Sequence, residues 1–469
     1  MLDSFVVVLY LAVVLAVGLS AGRNVQNISH FAVSNRSYSS LVIFATLSAS
    51  FIGGGFSMGN AEKVFTVGII NIVALWGFSL KEILVAKWIA PRMGEFLDAI
   101  SIGDIMEKNY GKAGKITGGL FSVLLCVGIV GAQVGAMGYI FNVLLGIPQI
   151  WGILIGCGIV IVYSAIGGMN AVVATDILQF LLLSVGIPLT LVLGWHYVGG
   201  FSAIQAAVPA NHFSFTHSSL SFWGFSSLFL TFFFGEALVP PYVQRLLISR
   251  DVTRTARGTL WSGLYSIPFF AVAGAIGLIA LTMQPDMNPN LALPSVVLQV
   301  LPIGIKGFVI AGMISIVMSS ADSFLNSASI AFVHDLVKPL RRVPLSEKTE
   351  LSLAKWTTVV VGVASIIFAV KIKSILDILI YAYNFWAPII LVPLAAALLG
   401  YKATSRNFLV GAAAGLTGVA VWRFWLQNPG GFDGLVVGTF CNFIAFTTYY
   451  YFKKIKSRPA VYASSTADF

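Results

Sequence analysis

Long apolar runs, each ended by a short polar cluster or by glycine and proline, follow one another from Phe5 almost to Phe452. A helix needs about 20 apolar residues to cross a hydrocarbon core, and read at that length the pattern predicts about thirteen helices. The first spans 4–21, and the next two cover 40–60 and 68–90. After a Lys-bearing polar stretch come 116–145, 149–166 and 171–195, then 221–239, 258–283, 303–334, 354–370, 376–399, 407–425 and 433–452. Because more spans follow 4–21, that segment is expected to be a first helix and not a cleaved signal. The whole chain, 1–469, reads as one membrane domain, ending in a polar tail at 453–469.

Two runs are interrupted where an ordinary span would continue. Gly53, Gly54 and Gly55 stand in a row within FIGGGFSMGN, and each interior glycine costs a helix about 1 kcal/mol relative to alanine. Unwound backbone at membrane depth survives only beside protein or a water-filled cavity. The glycines alone suit either a binding site or close helix packing. A second break tips the balance: 221–239 runs into GEALVPPYVQRLL, where Pro240 and Pro241 remove backbone donors one turn after Glu236. Paired breaks in two halves point to an inverted-repeat transporter with its site near the midplane. The expected repeats are 38–195 and 221–399, with an extra helix at 4–21 and two more within 405–452.

Composition agrees with this class: 58% of residues are hydrophobic, 10% are charged and the mean hydropathy is +0.90. The net charge of +10 does not call for nucleic acid, because Lys and Arg cluster in alternate loops as topology signals. Arg23 and Arg36, the Arg92–Lys115 stretch, the set Arg245, Arg250, Arg254 and Arg257, and Lys453 onward are all read as cytoplasmic. That puts the N-terminus outside and the C-terminus in the cytoplasm, with Lys371 and Lys373 on the dissenting side. The expected location is a cell membrane, plasma or bacterial inner. Cys126, Cys157 and Cys441 sit singly in apolar runs and read as buried thiols. No HExxH, Walker or GxSxG signature occurs, which argues against a hydrolase, an ATP-driven pump or any other enzyme.

The chemistry-bearing residues are few. MSSADSFLNSAS, Met318 to Ser329, puts Ser319, Ser320, Asp322, Ser323, Asn326, Ser327 and Ser329 inside an apolar helix. Ser327 and Ser329 read as back-bonded to their own helix, whereas Ser319 and Ser320 suit oxygen ligands for a hard cation such as sodium. Asp176 is a second membrane acid, with no Lys or Arg within ten residues. It is either a protonated structural carboxyl or an ion shared with the Asp322 region. Glu236, at the break, has three readings: a cationic substrate, a coupled proton, or hydrogen bonds to freed amides near Pro240 and Pro241. Phe78, Phe232 and Gln133 are candidate lining residues of a largely apolar cavity.

These residues resemble a known family. YSAIGGMNAVVATDILQ, VMSSADS and PPYVQRLLISRD are similar to motifs of the sodium:solute symporters, whose fold is leucine-transporter-like, and the resemblance covers nearly the whole chain. It implies an all-α membrane fold of 5+5 inverted repeats and a sodium site made by the carbonyls of Ala49, Ile52 and Ile316 with the hydroxyls of Ser319 and Ser320. It also implies a second cation or proton place at Asp176, Asp322 and Ser323, hence one sodium or two. The triple glycine and SSADS are most like the high-affinity choline branch, which cages a quaternary ammonium in tryptophans. Phe51 and Val239 stand at the matching positions, and Val239 offers no ring face.

The expected function is therefore sodium-coupled import of a small organic cation or zwitterion by alternating access. Phe51, the three glycines, Glu236 and Val239 stand nearest the solute. Proton coupling is the alternative, and a solute-sensing transceptor a weaker one. The partners expected are the solute and the lipid bilayer, with no obligatory protein partner evident.

Overall fold

The computed structural model describes residues 1–52, 54–215, 220–371 and 382–456. Gly53, Lys373, the start of the expected 376–399 helix and the tail from 457 lie outside the described residues. Within them the chain is helical, and strand pairing is limited to one isolated bridge between Ser37 and Ser249. Among the described residues, eight helices are long and apolar enough to cross a membrane, or nine if one bent pair counts as a span. That is consistent with the all-α membrane architecture expected from the hydropathy pattern.

In chain order the helices are α1 (Leu2–Ala21), α2 (Ile28–Val33), α3 (Ser40–Phe51), α4 (Gly54–Val67), α5 (Ile70–Trp88), α6 (Ile102–Leu145) and α7 (Gln149–Tyr197). Then follow α8 (Phe201–Ala207), α9 (Phe222–Phe234), α10 (Pro240–Leu246), α11 (Val252–Met283), α12 (Ala292–Val300), α13 (Ile305–Ile330), α14 (Lys338–Leu340) and α15 (Glu347–Lys371). The last long helices are Ser405–Val419 and Gly434–Lys456, packed on each other.

α7 contains the two spans expected at 149–166 and 171–195, joined by a hinge at Gly168 with φ 50° and ψ −137°. A Cβ there would come within 2.5 Å of the Phe31 carbonyl, so both conformation and space require glycine. α6 begins at Ile102, earlier than expected, and Gly111 interrupts its polar first part with φ 67° and ψ −166°.

α13 forms the axis of the bundle. It packs against α7, α6 and α1, and every residue from Val309 to Ile330 is buried. Its serines and Asp322 therefore meet protein on all sides, where each polar atom needs a partner. α11 packs against α3, α4, α5 and α7, and so supports both halves of the first broken helix.

Both breaks are present, and the second is placed differently from the sequence reading. α3 and the α4 stretch from Phe56 are bent by 50° relative to each other. α9 ends at Phe234, and the chain unwinds over 235–239 before the prolines, with Leu238 at φ +53°. Pro240 and Pro241 do not break a helix; they open α10 at its first turn, where a missing N–H costs nothing. Of the cysteines, Cys126 and Cys157 are buried as expected, but Cys441 is half-exposed.

Candidate functional site

The first broken helix ends at Phe51, which leaves the carbonyls of its last turn without intrahelical donors. The Ile52 amide takes the Ser48 carbonyl at 3.0 Å. α13 supplies partners for the next two: the Ser319 hydroxyl donates to the Ala49 carbonyl at 2.8 Å and the Ser320 hydroxyl to the Ser50 carbonyl at 2.9 Å. Both hydroxyls also lie near the Ile316 carbonyl, at 3.1 and 3.3 Å. Ile52 is fully buried beside them and leaves the helix with φ −90° and ψ 45°. The cluster contains neutral oxygens from two helices, the donor type that hard cations take. These residues suit sodium as a transported co-substrate.

One turn deeper lies a denser network. Asp176 of α7 accepts hydrogen bonds from Thr46 and, at 3.2 Å, from Ser50. Arg245 of α10 donates to it at 2.9 Å, and neither side chain is exposed. The same guanidinium donates to Ser50 at 2.6 Å, Ser323 at 2.6 Å, Thr46 at 3.0 Å and the Pro241 carbonyl at 3.0 Å. Asp322 accepts from the Tyr163 hydroxyl at 2.6 Å and lies 2.9 Å from the Ser323 hydroxyl. The sequence reading put Arg245 in a cytoplasmic loop. The structure buries it completely, as the partner that Asp176 lacked. The available signal was its setting, YVQRLLI, which is apolar on both sides.

Ser329 back-bonds to the Asn326 carbonyl at 2.8 Å, whereas Ser327 reaches across to Gln244 of α10 at 2.5 Å.

Three of the candidate solute residues, Phe51, Phe78 and Phe232, are linked through neighbouring rings and Lys81. Phe51 packs edge-on against Tyr242 with ring centroids 5.3 Å apart. The Lys81 ammonium lies 4.6 Å from the Tyr242 ring and 3.9 Å from the Phe78 ring. Phe78 packs on Phe56 at 5.1 Å, and Phe56 on Phe232 at 5.8 Å. Lys81 and Glu82 form a buried pair at 2.6 Å, and Tyr242 donates to the other Glu82 oxygen at 2.9 Å. The sequence reading passed over this pair, although two adjacent charges within the α5 apolar run were legible.

Glu236 lies in the unwound stretch with one oxygen on the Tyr383 hydroxyl. Its other oxygen is buried and has no partner among the described residues. Val239 is fully buried and starts α10, its carbonyl accepting from the Tyr242 amide at 2.9 Å. Gln133 is half-buried on α6. Gly54 and Gly55 open α4.

A further cluster, also missed, braces α6 to the segment Ala331–Val337 that follows α13 and to α15. Lys115 pairs with Asp104 at 2.7 Å, and His334 bridges Asp104 at 3.0 Å and Glu350 at 2.6 Å. Asp104, His334 and Asp335 bring ligand atoms within 4.8 Å of one another, but Lys115 already occupies Asp104 and the arrangement reads as an ion-pair brace.

The chain is similar to known proteins over most of its length. The chain is 25% identical over 409 residues to the high-affinity choline transporter 1 of Drosophila melanogaster, covering 81% of this chain and 63% of that one. It is 23% identical over 468 residues to a sodium/glucose cotransporter of Vibrio parahaemolyticus, covering 88% and 84%. Against sodium/glucose cotransporter 1 of Oryctolagus cuniculus it is 25% identical, covering 93% and 70%. Among solved structures, a Na+-coupled sialic acid symporter superposes with a TM-score of 0.85 at 21% identity, over 96% of this chain and 98% of that one. MhsT, solved with L-phenylalanine, gives 0.60 at 14% identity, over 88% and 99%. The three sequence relatives are named as transporters or cotransporters. A sequence model of the sodium:solute symporter family matches residues 31–415, and with the broken helices and the serine-bearing α13 in place, the chain belongs to the sodium:solute symporter family.

Proposed function

We propose that this protein imports a small organic solute together with sodium, by alternating access across a cell membrane, with its N-terminus outside and its C-terminus in the cytoplasm. The observation that carries the reading is the pair of hydroxyls crossing from α13 to the end of α3, Ser319 to Ala49 and Ser320 to Ser50. Sodium would be held by the carbonyls of Ala49, Ile52 and Ile316 with the two hydroxyls. Bound there, it joins the broken helix to the bundle axis. A ligand shifts a two-state equilibrium only by its difference in affinity, and ligands on two separate helices would supply that difference once the helices part in the other state.

The solute side favours an organic cation or a zwitterion carrying an N–H ammonium. Lys81 and Glu82 neutralise each other, which leaves Glu236 as the unbalanced carboxylate, with one oxygen unpartnered among the described residues. Relatives are named for choline and for glucose. A quaternary ammonium binds to open ring faces, yet Lys81 already covers those of Phe78 and Tyr242. An N–H donor for Glu236 suits the site better than choline. The unpartnered Glu236 oxygen also favours a second reading, in which it carries a coupled proton.

The test is thermal unfolding of the purified protein in sodium against potassium at equal ionic strength, followed by a screen of amines, betaines, amino acids and sugars in sodium. A sodium-specific shift, enlarged by an N–H ammonium solute, supports the proposal. Stability that follows pH and ignores sodium favours the proton reading.

A further inference from the structure

We propose that His334 is a proton-dependent clamp on the end of the bundle axis, holding α13 in register with α6 and α15, and that loss of its proton at alkaline pH weakens sodium binding. The effect on sodium rests on the sodium-coupled reading above.

AFVHDLV continues α13 without a loop, and over Ala331–Val337 the backbone runs as a π-helix. Such wider turns are rare and fall mostly at functional sites. α6 offers this segment a fitted seat. Asp335 is completely buried; an added Cβ at Gly103 would come within 2.3 Å of its carboxylate, and one at Gly119 within 2.4 Å of its Cβ. Both glycines reach one residue because the Gly111 break interrupts α6 between them. A side chain at either place would close the seat, so the pair keys the register of the segment.

His334 locks that register by charge. Its Nδ1 lies 2.6 Å from Glu350 of α15 and its Nε2 3.0 Å from Asp104 of α6. Each acid has further donors of its own: Lys338 of α14 reaches Glu350 at 2.9 Å, and Lys115 and the Ile100 amide reach Asp104 at 2.7 and 2.9 Å. These donors hold both carboxylates in the charged, accepting form. A ring whose two nitrogens both face acceptors has to donate from both, which only the imidazolium does. Neutral imidazole turns a lone pair toward one carboxylate, so one of the two ties goes with the proton. The other charged groups around the ring are Asp335 beside it and Glu107 of α6, which shares Lys115 at 2.8 Å. Asp98 and Lys108 stand further round a cavity of about 580 Å³ that His334 helps to line. Protons reach the ring through that cavity.

α13 transmits the state of the clamp. It is continuous from Ile305 to Ile330 and is buried from Val309 onward, so it moves as a rod among packed neighbours. Ser320 is fourteen residues from His334, about 21 Å along a helix at 1.5 Å per residue. Packed helices have discrete registers and do not deform continuously. With one tie released, the π segment is free to return to regular turns, and the rotation carries to the Ser319 and Ser320 hydroxyls that meet the Ala49 and Ser50 carbonyls. Proton and sodium then favour the same arrangement, and each raises the affinity for the other. His334 is a positioning residue.

The experiment is sodium titration by thermal unfolding, from neutral to alkaline pH, on the unaltered protein, His334→Gln and His334→Arg. Sodium affinity of the unaltered protein is expected to fall about fivefold or more as pH rises. His334→Gln, with no ring to titrate, shows the weaker affinity throughout. His334→Arg, whose charge is permanent and whose extra length the cavity accommodates, keeps the tighter affinity throughout. A pH-independent affinity in the unaltered protein, or a fall of equal size in His334→Arg, overturns the proposal; these two proteins decide it even if His334→Gln does not fold. Amide hydrogen exchange over 331–337, referenced to His334→Arg at each pH, separates the two readings. Faster exchange at alkaline pH in a protein that ignores sodium keeps the clamp and overturns the sodium coupling, whereas unchanged exchange overturns the clamp itself.

Discussion

Arg245 and Asp176 meet at 2.9 Å with neither side chain exposed, although 69 residues separate them in the chain. The contact joins the helix that follows the second break to the hinged α7. Removing one partner of a buried pair costs about 3–5 kcal/mol, because the other charge stays buried. Asp176→Ala and Arg245→Met are each expected to lower the unfolding midpoint sharply. The double variant should be less destabilised than the sum of the two, and a double-mutant cycle on thermal unfolding measures the difference.

Ser319→Ala and Ser320→Ala each remove one proposed sodium ligand and one donor to an end-of-helix carbonyl. Hydrogen bonds to charged groups are worth about 1.5–3 kcal/mol, so sodium affinity should fall about tenfold or more for each. Titrating sodium against thermal stability checks this. Sodium-stimulated uptake is expected to vanish in the double variant, and undiminished uptake would remove these hydroxyls from the site.

Glu236→Gln keeps the shape of the unwound stretch and removes its charge. The stabilisation by an ammonium solute should drop about tenfold or more in affinity, while the sodium shift persists. Tyr383→Phe, which removes the hydroxyl on the other Glu236 oxygen, is expected to have a smaller effect in the same direction. If the sodium and solute shifts disappear together, Glu236 is structural.

Lys81→Met leaves Glu82 buried with the Tyr242 hydroxyl as its partner among the described residues and opens the faces of Phe78 and Tyr242. The expected result is lower stability, with a gain in binding of quaternary ammonium relative to N–H amines. Equilibrium binding of a graded N-methylated amine series reads that ratio directly.

Gly277 of α11 lies against α4, the second half of the first broken helix, where an added Cβ would come within 2.2 Å of the Ala61 carbonyl. Gly277→Ala should destabilise by about 1–3 kcal/mol, as overpacking does. Gly59→Ala, on α4 with nothing within 4 Å of the new methyl, is the control and should be neutral or slightly stabilising. Thermal unfolding of the two variants side by side makes the comparison.

The sequence by itself determined what depends on local chemistry. Apolar run length decides that helices cross a bilayer, and a glycine triplet decides that one of them stops at Phe51. The serines and Asp322 of α13 advertise a protein-facing stripe, because such groups are costly in lipid. Even the hinge in α7 was legible as two helices meeting near Gly168.

What only the tertiary structure decided is which groups face one another across those helices. Asp176 gives no local sign of its partner, and Arg245 looks like a topology charge until α10 is folded against α3 and α13. Lys81 goes unread in the sequence, and only the fold brings it against Phe78 and Tyr242. The physical reason is range: helix formation and breaking are set by neighbours within a turn or two, whereas the pairing of a buried charge is set by whichever distant helix packing brings within about 3 Å.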